Sequence, residues 1–198
     1  MKTRADYLPI FISRRYGRKM GVVRHWAYFG RYLLGSYSRL KMIEWGRVRR
    51  LVFACKGNIC RSPYAEARAR AMGLPCASFG LEAEVGASAN LAAMRGATER
   101  GLDLTPHRAQ AAGQFEILTG DLLTAMEPSQ LASLQTLPIP AGAQLTLLGL
   151  WCTPSRPHLE DPFGLSDDYF QTCFGIIDNA LARISALMEK SETNSKPR

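Results

Sequence analysis

No segment of this chain is apolar for long enough to cross a bilayer. The longest run without a charged residue, Pro128 to Ser155, is broken by Gln130, Gln135 and Gln144 and by Pro138, Pro140 and Pro154, whereas a spanning helix needs about 20 largely apolar residues. Cysteine is sparse. Cys55, Cys60, Cys76, Cys152 and Cys173 are irregularly spaced and no two have metal-ligand spacing, which excludes a disulfide framework and a zinc pattern and reads as cytosolic thiols. Met1-Lys2-Thr3-Arg4 is not followed by an adequate apolar core before Arg14, so no secretory signal is expected. The phosphate loop G-x-x-x-x-G-K-[ST] is missing too, because Lys56 precedes Gly57 and no Gly-Lys pair follows; nucleotide hydrolysis by that route is excluded. There is no internal repeat.

Acidic residues are nearly absent from the first quarter of the chain. Residues 1 to 50 hold 13 Lys or Arg against Asp6 and Glu44, a charge of +11, while residues 51 to 198 hold 12 against 15 acids, a charge of −3. The same quarter carries nine of the 18 aromatics: Tyr7, Phe11, Tyr16, Trp26, Tyr28, Phe29, Tyr32, Tyr37 and Trp45. That composition is too aromatic for ordinary disorder. Apolar residues recur at helical spacing from Val22 to Trp45, with Gly30 and Gly35 weakening the pattern. Three roles are open for this extension: docking on the rest of the chain or on a partner protein, lying on an anionic membrane surface, or binding nucleic acid through Arg14, Arg15, Arg18 and Lys19.

Beyond the extension, strands are expected at about 50 to 55, 76 to 80, 122 to 125 and 144 to 148. Helices are expected at 63 to 72, 90 to 100, 109 to 116, 128 to 134 and 167 to 189. Strands alternating with helices define an α/β fold with a four-stranded parallel sheet flanked by helices on both sides. The expected organisation is a basic, partly helical extension over 1–49, a catalytic domain over 50–190 and a flexible tail over 191–198.

The octet Cys55-Lys56-Gly57-Asn58-Ile59-Cys60-Arg61-Ser62 lies between the apolar run Leu51 to Ala54 and a helix-forming stretch. A loop wrapping onto a helix N-terminus offers unpaired N–H groups and the positive end of a dipole, so it suits an anion. Those dipoles and Arg61 favour thiolate over thiol at Cys55, making it a nucleophile. The Arg61 fork can hold two phosphoryl oxygens. Gly57 leaves room for close backbone approach, Asn58 tolerates a left-handed conformation, Ser62 can donate to the Cys55 sulfur, and Pro63 suits the first helical position.

The run from Leu51 to Glu66, L-V-F-A-C-K-G-N-I-C-R-S-P-Y-A-E, resembles the active-site segment of the low-molecular-weight protein tyrosine phosphatases. The resemblance covers about residues 50 to 190. It implies that Cys55 forms a phosphocysteine, that Arg61 grips the phosphate, and that Asp161, in Glu160-Asp161-Pro162-Phe163, is the general acid, with Glu160 as its rival. No metal or cofactor is implied. Ser78 and His107 match positions that in the family hold the loop Asn. The expected partner is a phosphotyrosine protein and the expected location is the cytoplasm, at the membrane surface if the extension binds lipid.

Departures from the family pattern bear on specificity. Residues 81 to 86 supply no aromatic wall, and Phe163 is the one that survives beside the Asp-Pro. Lys56 adds a cation to the loop and attracts acidic substrates, whereas Ile59 favours a planar ring over phosphoarginine. Cys60 is either a redox partner of Cys55 or simply buried. Two other readings stay open. One is an arsenate reductase of the same fold, although Cys76, Cys152 and Cys173 lack the spacing of a resolving pair. The other is a phosphate-binding or scaffold protein with weak catalysis.

Overall fold

Leu51 to Cys55 and Leu122 to Ala125 are buried at every position, without the alternation of a half-exposed strand, because both faces of the sheet they form are covered. The computed structural model of the chain describes residues 9–195. Strands β1 (Arg50–Cys55), β2 (Cys76–Gly80), β3 (Asp121–Ala125) and β4 (Gln144–Leu147) make one all-parallel sheet in the order β2-β1-β3-β4, with Val52 opposite both Ala77 and Leu123. The chain leaves β1 towards β2 on one side and returns to β3 on the other. Parallel sheets bind ligands beyond the carboxyl ends of the strands at such a switch point, and Cys55 is the last residue of β1.

Helices α1 (Ile10–Tyr16) and α2 (Lys19–Leu33) precede the sheet; α3 (Arg61–Ala71), α4 (Leu91–Thr98), α5 (Ser129–Gln135) and α6 (Asp167–Ser195) flank it. Tyr64 of α3 stacks on Phe174 of α6 with ring centroids 3.7 Å apart. Beneath that stack Asp178 accepts from Tyr64 (2.7 Å), Arg68 (2.8 Å) and Arg100 (2.6 Å). Two cations on one carboxylate, closed over by an aromatic pair, fix α3 against the long helix and so set the direction of the loop that feeds α3.

Three expectations need correction. The helix expected over 109 to 116 is a single 3-10 turn at Ala112–Gln114. The backbone there is used sideways: Gly80 donates to Gln110 O, and Gly80 and Ala111 form a parallel bridge. Pro63 is the third residue of α3, Cys60 being the N-cap. Finally, α6 runs through residues 191 to 195 of the expected tail; residues 196–198 and Tyr7 lie outside the described residues.

The extension docks on the domain. Arg14 pairs with Asp168 at 2.9 Å, Arg156 donates to Arg15 O at 3.1 Å, and Tyr28 stacks on His158 with centroids 5.0 Å apart. Glu44 and Gln144 exchange backbone-to-side-chain hydrogen bonds at the edge strand, and Trp45 meets Trp151 edge-on at 4.8 Å. Among the described residues no helix is long and apolar enough to cross a membrane.

Candidate active site

The loop from Cys55 to Ser62 is organised around one buried amide. Asn58 is fully buried at φ +52°, a conformation few non-glycine residues adopt, and its side chain accounts for the strain. Its Nδ2 donates to Ser62 Oγ (2.9 Å) and Ser78 Oγ (2.8 Å), while its Oδ1 accepts from the Gln110 amide (2.9 Å). Its backbone carbonyl lies 2.7 Å from His107 Nε2, which must therefore carry the proton. Ser78 in turn donates to Glu66 Oε2 at 2.6 Å.

These partners orient the hydroxyl of Ser62. Ser62 Oγ accepts from Asn58 and stands 3.0 Å from Cys55 Sγ, where either atom can supply the hydrogen; with the sulfur ionised, the hydroxyl is the donor. The Asn58 amide also points at the sulfur, at 3.3 Å. Two donors thus converge on Cys55 at the head of α3. The amides of Gly57, Ile59 and Cys60 donate to no protein acceptor among the described residues, which leaves a row of N–H groups for an anion.

Arg61 is 1% exposed. Its Nη1 donates to Glu127 Oε1 (2.5 Å) and to the Leu159 carbonyl (2.7 Å), which fixes the plane of the guanidinium. Nε and Nη2 make no aligned hydrogen bond, although Nη2 lies 3.0 Å from Asp161 Oδ2. One edge of the fork is anchored by Glu127 and Leu159, and the other faces the Asp161 carboxylate. Burial disfavours the charge, but the carboxylates of Asp161 and Glu127 outweigh it and hold the guanidinium above its ordinary pKa.

Cys55, Lys56, Gly57, Ile59, Cys60, Arg61, Glu82, Asp161 and Phe163 line one cavity of about 270 Å³. The Asp161 carboxyl stands at its edge, partly open to solvent and steadied by the Phe163 amide at 3.3 Å. Phe163 is 56% exposed and presents its ring at the rim. Lys56 pairs with Glu82 at 3.4 Å, both side chains in solvent. Glu160, the rival acid, is absent from the cavity lining; its buried carboxyl meets buried His158 and the half-exposed Arg18 and Arg24. Cys60 is buried beside Cys55, and desolvation pushes its thiol far up. Among the described residues no three His, Cys, Asp or Glu side chains are grouped to hold a metal.

Two supports were not anticipated from the residues. Gly57 has no positive φ, and a Cβ there would meet only Ile59 at 3.6 Å. The glycine that the loop leans on is Gly80, where a Cβ would stand 2.8 Å from the Asn58 amide nitrogen and 2.9 Å from Gly57 C. Its position at the end of a strand, after Ser78-Phe79, was the only signal. Glu127, two residues beyond β3, had a comparable one, because carboxyl ends of parallel strands are where ligands gather.

A cysteine and an arginine with five residues between them, on one loop at the carboxyl end of the first strand and facing an Asp-Pro carboxyl, define a thiol-and-guanidinium anion-loop protein of the parallel α/β class. More narrowly, the chain belongs to the low molecular weight phosphotyrosine protein phosphatase family, whose sequence pattern matches residues 50–194. It is 32% identical over 136 residues to the probable low molecular weight protein-tyrosine-phosphatase AmsI of Erwinia amylovora, covering 67% of this chain and 92% of that protein. The crystal structure of AmsI superposes with a TM-score of 0.60 at 28% identity, over 70% of this chain and 92% of the other. Wzb of Vibrio vulnificus, solved with benzylphosphonate, gives a TM-score of 0.58 at 26% identity, over 72% and 99% of the two chains. Residues 1–49 lie outside the family match.

Proposed function

We propose that the chain is a protein tyrosine phosphatase acting through a phosphocysteine intermediate. The observation that carries this reading is the convergence of Cys55, Arg61 and Asp161 on one cavity, with the Arg61 guanidinium and the Asp161 carboxylate 3.0 Å apart on its wall. Cys55 sulfur attacks phosphorus in line, forming an S–P bond as the ester P–O bond breaks. The free loop amides and Arg61 bear the charge on the three equatorial oxygens. Asp161 gives its proton to the departing phenolic oxygen and then takes one from the water that cleaves the phosphocysteine. Ser62, donating to the sulfur, eases its departure in that second step. Asn58, Ser78 and His107 hold the loop, and no metal enters the steps. Ile59 and Phe163 supply apolar contact for the ring of a phosphotyrosine.

Turnover of p-nitrophenyl phosphate that is insensitive to EDTA and abolished in Cys55→Ser tests the reading; a Cys55→Ser variant that still turns over refutes it. Phosphate binding without turnover in the native chain would favour the scaffold reading. Arsenate reduction coupled to thioredoxin would favour the reductase.

For the extension we infer an anionic lipid surface, with the protein on the cytoplasmic side of a membrane. On α2, Gly21, Tyr28 and Tyr32 face the domain, whereas Met20, Val23, Trp26 and Leu33 face outward, with Leu34, Ile10 and Phe11 extending the stripe. These seven are 52 to 85% exposed. An aromatic and aliphatic stripe on a segment of charge +10 has the composition of a helix that lies in a membrane interface. Arg14 and Arg18 are engaged by Asp168 and Glu160, which weakens the nucleic-acid alternative. Sedimentation of the full chain with phosphatidylserine vesicles at low salt, lost in Trp26→Glu, is expected; no sedimentation would end the lipid reading.

A further inference from the structure

Glu160 is 3% exposed and next in sequence to Asp161, and most of its charge is met from another part of the chain. Arg18 Nε lies 2.9 Å from Glu160 Oε1, and Arg24 Nη1 reaches Oε1 at 3.1 Å and Oε2 at 3.3 Å. Both arginines belong to the segment that precedes the family match, Arg18 as the N-cap residue of α2 and Arg24 within it. His158 Nε2 completes the set at 2.9 Å from Oε2. Arg18 also donates to the backbone carbonyl of Asp161 at 3.3 Å. Burial would raise the Glu160 carboxyl, but the His158 hydrogen bond and the Arg24 and Arg18 charges overcome it and hold it below its usual range.

Within the domain, the Asp161 carboxyl is held by Arg61 Nη2 at 3.0 Å and by the Phe163 amide at 3.3 Å, while the backbone that carries it has few anchors. Leu159 is tied inward, its amide to Met126 O (3.0 Å) and its carbonyl to Arg61. The Tyr169 hydroxyl reaches Glu160 O only at 3.4 Å. On the outer side α2 closes the loop: Tyr28 lies flat on His158, and a Cβ on Gly21 would come within 3.5 Å of Glu160 Cγ. A carboxylate at this depth is tolerable only while its cations stay, because removing one partner of a buried pair leaves an uncompensated charge. Without the arginines only His158 remains on the Glu160 carboxylate, which favours its turning towards water, and Asp161 is its next neighbour in the chain.

We propose that Arg18 and Arg24 are positioning residues for the reaction: through Glu160 they hold the Asp161 carboxyl over the Cys55 cavity, so that the N-terminal extension is a working part of the proton-donating loop. This rests on the phosphatase reading above, in which Asp161 protonates the leaving oxygen. The arginines touch no substrate. Their effect therefore falls on the step that needs a proton and spares phosphate binding.

The test uses the full chain and two aryl esters. Phenyl phosphate expels a basic phenolate and needs the proton; p-nitrophenyl phosphate expels a stabilised anion and needs it much less. The Arg18→Ala/Arg24→Ala double variant is expected to lose about 10-fold more kcat on phenyl phosphate than on p-nitrophenyl phosphate, a fraction of what a general acid contributes. Inhibition by inorganic phosphate should stay within about twofold, and Arg18→Lys/Arg24→Lys, which keeps the charges, should recover most of the phenyl phosphate rate. Glu160→Ala, which removes the side chain through which both arginines act, should show the same leaving-group signature and covers the case of a double variant that does not fold. Equal losses on both esters, or none, would overturn the proposal while leaving the phosphatase reading intact. A native chain inert towards both esters would overturn the two together.

Discussion

The two loops that meet at the cavity are held by opposite means. Residues 55 to 62 are tied from within, by a single buried Asn58 whose partners all lie in the family-matched domain. Residues 158 to 163 are tied from outside as well, by Arg18 and Arg24 of a segment beyond it. The first arrangement fixes the proposed nucleophile and a row of N–H groups with little freedom. The second fixes the proposed proton donor, whose position, on the inference above, depends on whether a separate helix pair is docked. An internal tether is shared with the domain's own folding, whereas an external one can be altered without touching the anion loop.

Asp161→Ala removes what the second loop contributes and should have the largest effect. A fall in kcat of about 10² to 10⁴ is expected, steeper with phenyl phosphate than with p-nitrophenyl phosphate in steady-state assay. An equal fall on both esters would deny Asp161 the role of proton donor. Gly80→Ala attacks the first loop from beneath. With the Asn58 amide 2.8 Å from the new Cβ, the change should cost about 1–3 kcal/mol, lowering Tm by several degrees and kcat on both esters alike. An unchanged Tm with full activity would show that the loop does not lean on that strand end.

Acid should separate the two tethers by the smallest margin. The Glu160 carboxyl is depressed from its ordinary value of 4.5, so its contribution to docking is complete above that value and is lost only as pH falls through the lower folded value. Hydrogen exchange of residues 19–33, corrected for intrinsic rates, should stay protected down to about pH 4.5 and open below it. Opening at pH 6 would mean that Glu160 does not carry the docking.

What could be read in the sequence follows the same division. The anion loop depends on spacing within eight residues and on a strand before and a helix after, and all of these are local patterns; the four strands and most helices were legible for the same reason. Asp161 was legible through its Pro162 and its place near the C-terminus. The contacts that hold it were not, because Arg18 and Arg24 meet Glu160 across more than 130 residues and nothing in either segment marks the other. Residues 109 to 116 were misread because an alanine-rich stretch reads as helix, while tertiary pairing with Gly80 and Asn58 draws it into extended backbone. Gly80 escaped notice because a close approach between two segments leaves no mark in either one.

If the Cys55 sulfur takes the phosphoryl group, the S–P bond can be captured. The full chain turning over an aryl phosphate is quenched rapidly in alkali, where that bond survives, and its peptides are mapped by mass spectrometry. A phosphoryl group on the peptide containing Cys55, absent from Cys55→Ser, is predicted; turnover with the phosphoryl group on another residue, or with Cys55 never modified, would contradict it.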